Sequence, residues 1–265
     1  MASIALTIAG SDSGGGAGIQ ADLKTFSALG VYGASVITAV TAQNTQDVTA
    51  VHPIPLDVVR AQIAAVLEDL DVAAIKIGML GSPQLVTCVA QALADFDGPI
   101  VLDPVMVAKS GAVLLPPEAI APLRTELLPR ATVLTPNIPE AALLLDQPET
   151  LTAEALRQQG QNLLALGPQA VLMKGGHGLG NICTDWLINE RGALGLESDR
   201  IHTRNTHGTG CTLSSGIAAG LARGQSVETA VRAAHGWLHR AILRADDLSI
   251  GHGHGPVHHF HEVWT

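Results

Sequence analysis

The chain has 265 residues, of which 47% are hydrophobic, only 3% are aromatic and 28 are glycine. That length holds one large α/β domain or two small ones, and a core built from Ala, Val, Leu and Ile suits a parallel sheet covered by helices. The net charge of −9, with 15 dispersed Lys and Arg, excludes nucleic acid as the main partner, because phosphate backbones are bound by clustered cations.

The opening Met1-Ala-Ser-Ile-Ala-Leu-Thr-Ile8 has no basic n-region and runs straight into a strand pattern over residues 4–9, so it is not expected to be a secretory signal. No apolar run is long and uncharged enough to span a membrane. Gly10-Ser-Asp-Ser-Gly-Gly-Gly-Ala-Gly18 follows, with a turn at 14–18 and a helix to about residue 29. Such a loop offers unhindered backbone N–H groups to an anion. No Gly-Lys-Ser/Thr follows, so it is not a P-loop. Gly16-x-Gly18-x-x-Ala21 fits a loose dinucleotide fingerprint. Ala42, Gln43 and Asn44 stand where that fingerprint needs an acidic residue, and a tight strand-to-helix turn is the preferred reading of the segment by itself.

Residues 34–42 read as the second strand. Gln43 at its end can give one donor and one acceptor to a heterocycle, although a solvated turn is the plainer reading. An amphipathic helix is predicted at 56–70, a strand at 74–79 and a helix at 83–94 started by Ser82-Pro83. A strand at 100–105, a helix at 117–128 and a strand at 132–135 come next. Asn137 and Glu140 have capping-box spacing for a helix at 138–145; the functional alternative puts Glu140, with its water shell, near a Mg²⁺ ion on nucleotide phosphates. A helix at 152–166 leads to a buried strand at 170–173, beside which 183–189 can pair. Lys174-Gly-Gly at that strand's end either sets a cation against phosphate or is a turn with an exposed lysine.

Asn205-Thr-His-Gly-Thr-Gly-Cys-Thr212 opens a helix at 210–222, followed by another at 226–244. The N–H groups of Gly208, Thr209 and Gly210 can converge on an anion at that helix N-terminus. Cys211, in the first turn, is expected to have its thiol pKa lowered from about 8.5 toward roughly 3.5–7.5, and a thiolate there could accept a proton from an alcohol. A buried small hydrophobe is the alternative reading of Cys211. The tail, Gly251-His-Gly-His-Gly-Pro-Val-His-His-Phe-His261, invites a metal reading, but a structural tail packed near the sheet is preferred. Cys88, Cys183 and Cys211 are odd in number and irregularly spaced, which argues against a disulfide framework and for a reducing, cytoplasmic setting. The alternation as a whole predicts one α/β domain over residues 1–265, with ligands at the carboxyl ends of a mostly parallel sheet.

Several segments jointly resemble the hydroxymethylpyrimidine (phosphate) kinases of the ribokinase-like superfamily. They are Gly10 through Phe26, Ser35-Val-Ile-Thr-Ala-Val-Thr-Ala-Gln-Asn44, Ile75-Lys-Ile-Gly-Met-Leu80, Leu102-Asp-Pro-Val-Met-Val-Ala-Lys-Ser-Gly111, Thr135-Pro-Asn-Ile-Pro-Glu-Ala-Ala142, Met173-Lys-Gly-Gly-His177, Asn205 through Thr212 and Gly255-Pro-Val-His-His-Phe-His261. The resemblance implies a ribokinase-like three-layer α/β/α sandwich, usually a homodimer. It implies transfer of phosphate from ATP to 4-amino-5-hydroxymethyl-2-methylpyrimidine and then to its monophosphate, for thiamine biosynthesis. Gln43 would hydrogen-bond the aminopyrimidine, and Gly10, Asp22, Met79 and Val105 would line its pocket. Lys174, Asn137 and Thr206 would serve ATP and Glu140 the Mg²⁺ region. Cys211 would be the base, or a partner to the anion hole of Gly208, Thr209 and Gly210. Sugar kinases of the superfamily carry Asp at the position of Cys211, which disfavours a sugar, and Ala112 stands where relatives often have an acidic residue. The rivals are a pyridoxal kinase, an NAD-dependent oxidoreductase resting on the Gly16 fingerprint, and a non-enzymatic binding protein.

Overall fold

The computed structural model describes residues 2–107, 111–176 and 180–264; Ala108, Lys109, Ser110 and His177 of the motifs above lie outside the described residues. The elements run β1 (Ile4–Asp12), α1 (Gly18–Ala28), β2 (Tyr32–Gln43), β3 (Val48–Pro53), α2 (Leu56–Asp69), β4 (Ala74–Ile77), α3 (Pro83–Ala92) and β5 (Ile100–Leu102). After a short α4 (Ile120–Pro122) come β6 (Val133–Leu134), α5 (Ile138–Leu145), α6 (Ala153–Leu164), β7 (Ala170–Met173), β8 (Ile182–Asn189), β9 (Gly192–Asp199), α7 (Thr209–Ala222) and α8 (Val227–Leu243). The strands form one nine-stranded sheet in the order β3-β2-β1-β4-β5-β6-β7-β8-β9. Pairing is parallel from β2 to β7 and antiparallel at both edges.

The period of two in the central strands divides the core into two layers. Leu6, Ile8, Ile75, Ile77, Ile100 and Leu102 pack under α2, α3, α5 and α6. The smaller Ala5, Ala74 and Val101 face α1, α7 and α8, where Phe26, Leu213, Ile217 and Val231 complete the second layer. Small residues on that side let α7 lie close to the sheet. Every residue of α7 from Thr212 onward is buried, as a helix apolar all round requires, and a Cβ on Gly216 would come within 3.0 Å of the Ala234 methyl.

Lys76 interrupts this apolar layer. It is fully buried in β4, and its ammonium lies 2.8 Å from Asp22 of α1. Asp22 also accepts hydrogen bonds from Thr7 Oγ1 on β1 (2.6 Å) and Ser215 Oγ on α7 (2.5 Å). Burial disfavours the charged lysine, but the facing carboxylate outweighs it and raises the Lys76 pKa.

Three expectations change. β3 and β9 were not anticipated: β3 is largely exposed along its length, so it carries no burial period, and the glycines of Gly192-Ala-Leu-Gly-Leu blur that of β9. The helix expected at 117–128 is a 3₁₀ turn, α4, a π turn at Leu123–Leu127 and a second 3₁₀ turn, because Pro122, inside it, has no N–H to donate and crowds the preceding turn. β1 runs on to Asp12 through a register shift between Ala9 and Ser11. Among the described residues, no helix is long and apolar enough to cross a membrane.

Removing one member of the buried pair leaves the other charge uncompensated. Lys76→Met is expected to cost about 3–5 kcal/mol of unfolding free energy, whereas Asp22→Leu/Lys76→Met together should recover much of that loss. Urea unfolding of the two variants checks this; equal losses would refute it.

Candidate active site

The carboxyl ends of β1, β2, β4, β5 and β7 open on one cavity of about 530 Å³, closed on one side by the start of α7. Gly10, Gln43, Met79, Val105, Asn137, Glu140, Lys174, Thr206, Gly208, Thr209, Gly210 and Cys211 all line it. A Cβ on Gly10 would meet the flexible end of Met79, at Cε, so the glycine leaves room for that methionine at the cavity. Asp22 is a correction. It is fully buried and not part of the lining, since its carboxylate is engaged behind the wall by Lys76, whose side chain does line the cavity.

The Gly-rich loop is closed to anions, contrary to the expectation for its free N–H groups. Asp12 Oδ1 accepts the Gly14 N–H (2.8 Å), and Oδ2 accepts those of Gly16 (3.0 Å) and Ala17 (2.8 Å). Asp12 is also 2.9 Å from His207 Nε2. Burial pushes its carboxyl pKa up, but the hydrogen bonds from His207 and the Ala17 amide prevail and hold it below the usual value. Asp12 thus occupies the Gly16 and Ala17 amides, while the Gly18 N–H turns toward the Cys211 thiol at the cavity, which weakens the dinucleotide reading.

The start of α7 has the opposite character. Gly208 caps it at φ +80°, and a Cβ there would come within 1.9 Å of the Gly16 carbonyl oxygen, so only glycine fits. No side chain caps this N-terminus among the described residues, and the first turn faces the cavity as a site for negative charge. Cys211 sits in that turn, half-buried. Its thiol is not depressed as expected. Burial, joined by the charges of Asp22 and Asp103, outweighs the pull of Lys76 and pushes its pKa up to about 11.

Across the cavity, Lys174 Nζ lies 2.9 Å from Asp103 Oδ1 and 3.7 Å from Glu140 Oε2. Thr135 Oγ1 and Ser214 Oγ donate to the Asp103 carboxylate, each at 3.3 Å. Lys174 is therefore not the exposed end of a turn: burial opposes its charge, but Asp103 and Glu140 outweigh it and raise its pKa. Asp185 fixes the following turn by accepting the Gly175 N–H at 2.7 Å. Asn137 and Glu140 make both bonds of the capping box, each 2.8 Å, and Glu140 still lines the cavity, so the capping and site readings hold together. Burial, aided by Asp103 and opposed by Lys174, pushes the Glu140 carboxyl up to about 7.

Sequence reasoning named no role for Asp12, Lys76, Asp103 or His207, although all stand inside the quoted motifs. A lysine between two isoleucines in a buried strand is itself a signal, because such a lysine is found only with a partner. The end of the histidine tail packs on the helices α7 and α8: Val257, His258 and His259 are buried, His259 Nε2 lies 3.0 Å from Thr212 Oγ1 and the His258 N–H donates to the Ala241 carbonyl, while His252 and His254 are exposed. Among the described residues, no three His, Cys, Asp or Glu converge to hold a metal ion by themselves.

A mostly parallel sheet between two helical layers, with a glycine-capped helix aimed at a cavity that also holds a buried lysine, defines a small-molecule kinase of the ribokinase-like class. The sequence profile described as phosphomethylpyrimidine kinase matches residues 12–258. A Rhizobium meliloti hydroxymethylpyrimidine/phosphomethylpyrimidine kinase is 55% identical, covering 100% of this chain and 99% of the relative. The crystal structure of a Clostridium difficile phosphomethylpyrimidine kinase matches with 44% identity and a TM-score of 0.80, over 90% of this chain and 99% of that one. The structure of an ADP complex of Bacillus subtilis pyridoxal kinase matches with 37% identity and a TM-score of 0.92 over the whole of both chains. The chain belongs to the phosphomethylpyrimidine kinase family.

The Glu140 carboxyl gives a pH signature. With its pKa raised from 4.5 to about 7, the folded state keeps a proton that the unfolded chain releases. This contribution to stability is complete below about pH 4.5 and is lost as pH rises through about 7. Measured by denaturation, the stability of the wild type relative to Glu140→Gln should fall between pH 4.5 and 7 and level off above; a flat difference would contradict the raised pKa.

Proposed function

We propose that the chain transfers the γ-phosphoryl group of ATP to the hydroxymethyl oxygen of 4-amino-5-hydroxymethyl-2-methylpyrimidine, and then phosphorylates that monophosphate to the diphosphate used in thiamine biosynthesis. The observation that carries this reading is one cavity with a heterocycle-reading amide, Gln43, and an uncapped helix start beside Cys211. Identity of 55% to a relative carrying both kinase names supports it over pyridoxal phosphorylation.

In this reading Gln43 bonds the aminopyrimidine edge, while Gly10, Met79 and Val105 shape its pocket. Asp22 acts from behind the wall by holding Lys76. The Gly208, Thr209 and Gly210 amides stabilise the transferring group, as phosphoryl transfer relies mainly on positioning and charge stabilisation. Lys174 serves phosphate, with Asn137 paired beside it and Thr206 on the same cavity wall. The carboxylates of Glu140 and Asp103 are hard oxygen donors that fit Mg²⁺, whose remaining ligands would come from phosphate and water; the bound ion would neutralise charge on the nucleotide. Cys211, in its thiolate form, receives the hydroxyl proton. The single kinase unit over residues 1–265, the homodimer and the cytoplasmic setting belong to the same proposal, resting on the family.

ADP release from Mg-ATP tests the assignment, with hydroxymethylpyrimidine, its monophosphate and pyridoxal compared side by side. Turnover of both pyrimidines above pyridoxal is expected, and turnover of pyridoxal alone would overturn the substrate. The Cys211 role makes a second prediction. A thiol with a pKa near 11 is protonated at neutral pH, so kcat/KM should rise with pH between about 8 and 10 as thiolate forms. Cys211→Ser should abolish that rise and lower kcat about 10²-fold or more. A flat wild-type profile would leave Cys211 only as a partner to the amides.

A further inference from the structure

Gln43 is surrounded by polar partners whose hydrogens are fixed by chemistry. Thr41 Oγ1 lies 2.9 Å from the Ser11 carbonyl oxygen and 3.1 Å from Gln43 Oε1. His207 Nε2 lies 2.9 Å from Asp12 Oδ2 and 3.3 Å from Gln43 Nε2. A threonine hydroxyl has one proton. Given to the Ser11 carbonyl, it leaves Oγ1 as an acceptor, which calls for the amide NH₂ of Gln43 rather than its oxygen. His207 Nε2 held against the Asp12 carboxylate carries its one proton toward Oδ2; shared in a three-centre bond, that N–H favours the amide oxygen on its other side over the NH₂. The ends of a glutamine amide are nearly isosteric and are told apart only by such partners. Here both neighbours require the same arrangement: nitrogen toward Thr41, oxygen toward His207.

We propose that His207 is a specificity-determining positioning residue, whose Nε2–H, aimed by Asp12, holds the Gln43 amide with its oxygen toward His207 and its nitrogen toward Thr41. This fixes the order in which Gln43 offers an acceptor and a donor to the heterocycle, and it rests on the reading of Gln43 as the pyrimidine contact. A 4-aminopyrimidine edge presents a ring-nitrogen acceptor beside an NH₂ donor. The 4-oxo analogue presents an N–H donor beside a carbonyl acceptor, the reverse order. An amide free to turn accepts both edges; an amide held in one orientation rejects one of them by leaving polar groups unpaired.

The holding groups are themselves fixed. The His207 N–H donates to the Gly255 carbonyl at 3.0 Å, and its own carbonyl accepts the Val257 N–H at 3.4 Å, so the C-terminal tail clamps its backbone on both sides. Its ring lies against Gly16, where a Cβ would come within 2.4 Å of Cδ2. Asp12 is immobilised by the three amides of the Gly-rich loop. The loop whose amides hold Asp12 is thus engaged in orienting a substrate contact at the end of the next strand.

The test compares His207→Leu, which removes the donor, with His207→Gln, whose amide N–H replaces it near the same point. Steady-state constants for the 4-amino and 4-oxo 5-hydroxymethyl-2-methylpyrimidines are measured with Mg-ATP, and the Gln43 side-chain NH₂ resonances are followed by ¹H–¹⁵N NMR. His207→Leu should raise KM for the 4-amino substrate at least about tenfold, the worth of one lost hydrogen bond. It should leave kcat within about threefold, narrow the amino-over-oxo preference by a similar factor and shift the Gln43 resonances. His207→Gln should restore all three. An unchanged preference in His207→Leu, or equal impairment of both variants, overturns the proposal. If the wild type turns over neither pyrimidine, the functional reading fails, and the spectra decide alone: Gln43 resonances unmoved in His207→Leu refute the orienting role, and resonances moved there but not in His207→Gln uphold it.

Discussion

The site depends on one buried ion pair. Lys76 and Asp22 are both fully buried, 2.8 Å apart, and two desolvated charges are tolerated in a core only with good geometry and further hydrogen bonds. Thr7 and Ser215 supply those bonds, so the pair ties β1, α1, β4 and α7 at one point. Lys76 thereby reaches the cavity as a fixed cation, and α7 is held with its first turn facing the same space. Apolar residues of similar volume would fill the core as well, but they would bring no charge to the cavity wall.

A chain of net charge −9 prepares for an anionic ligand by concentrating its few cations. Lys76 and Lys174 both lie at the cavity, each kept charged by a carboxylate that outweighs the cost of burial. The helix start adds partial positive charge from backbone N–H groups. The Gly-rich loop, by contrast, has its amides filled by Asp12. Two glycine-rich segments that look alike in sequence therefore do different work, and the difference lies in whether a side-chain carboxylate is within reach of the amides.

The central strands were legible because those of a parallel sheet are buried on both faces and read as continuous apolar runs, as in Ala74–Ile77 and Ala170–Met173. The edges were less so: β3 is solvent-exposed along almost all of its length, and exposure erases the pattern. Of the site residues, those beside glycine or at strand ends could be picked out, since backbone constraints leave a mark in sequence. The partners Asp12, Asp103 and His207 could not, because a hydrogen bond between residues 195 positions apart, as for Asp12 and His207, leaves no local pattern.

The sequence by itself determined the α/β alternation, the resemblance to the pyrimidine kinases and the gathering of Gln43, Lys174 and Cys211 at the carboxyl ends of strands or the start of a helix. The alternation and the placement of those residues follow from periodicity and turn chemistry, which act over a few residues, and the resemblance rests on the ordered motifs. Only the tertiary structure decided protonation and access. It placed Asp22 behind the cavity wall, raised the Cys211 thiol rather than lowering it, and closed the Gly-rich loop with Asp12. Charge state depends on burial and on neighbours brought together from distant segments, and that information exists only once the chain has folded.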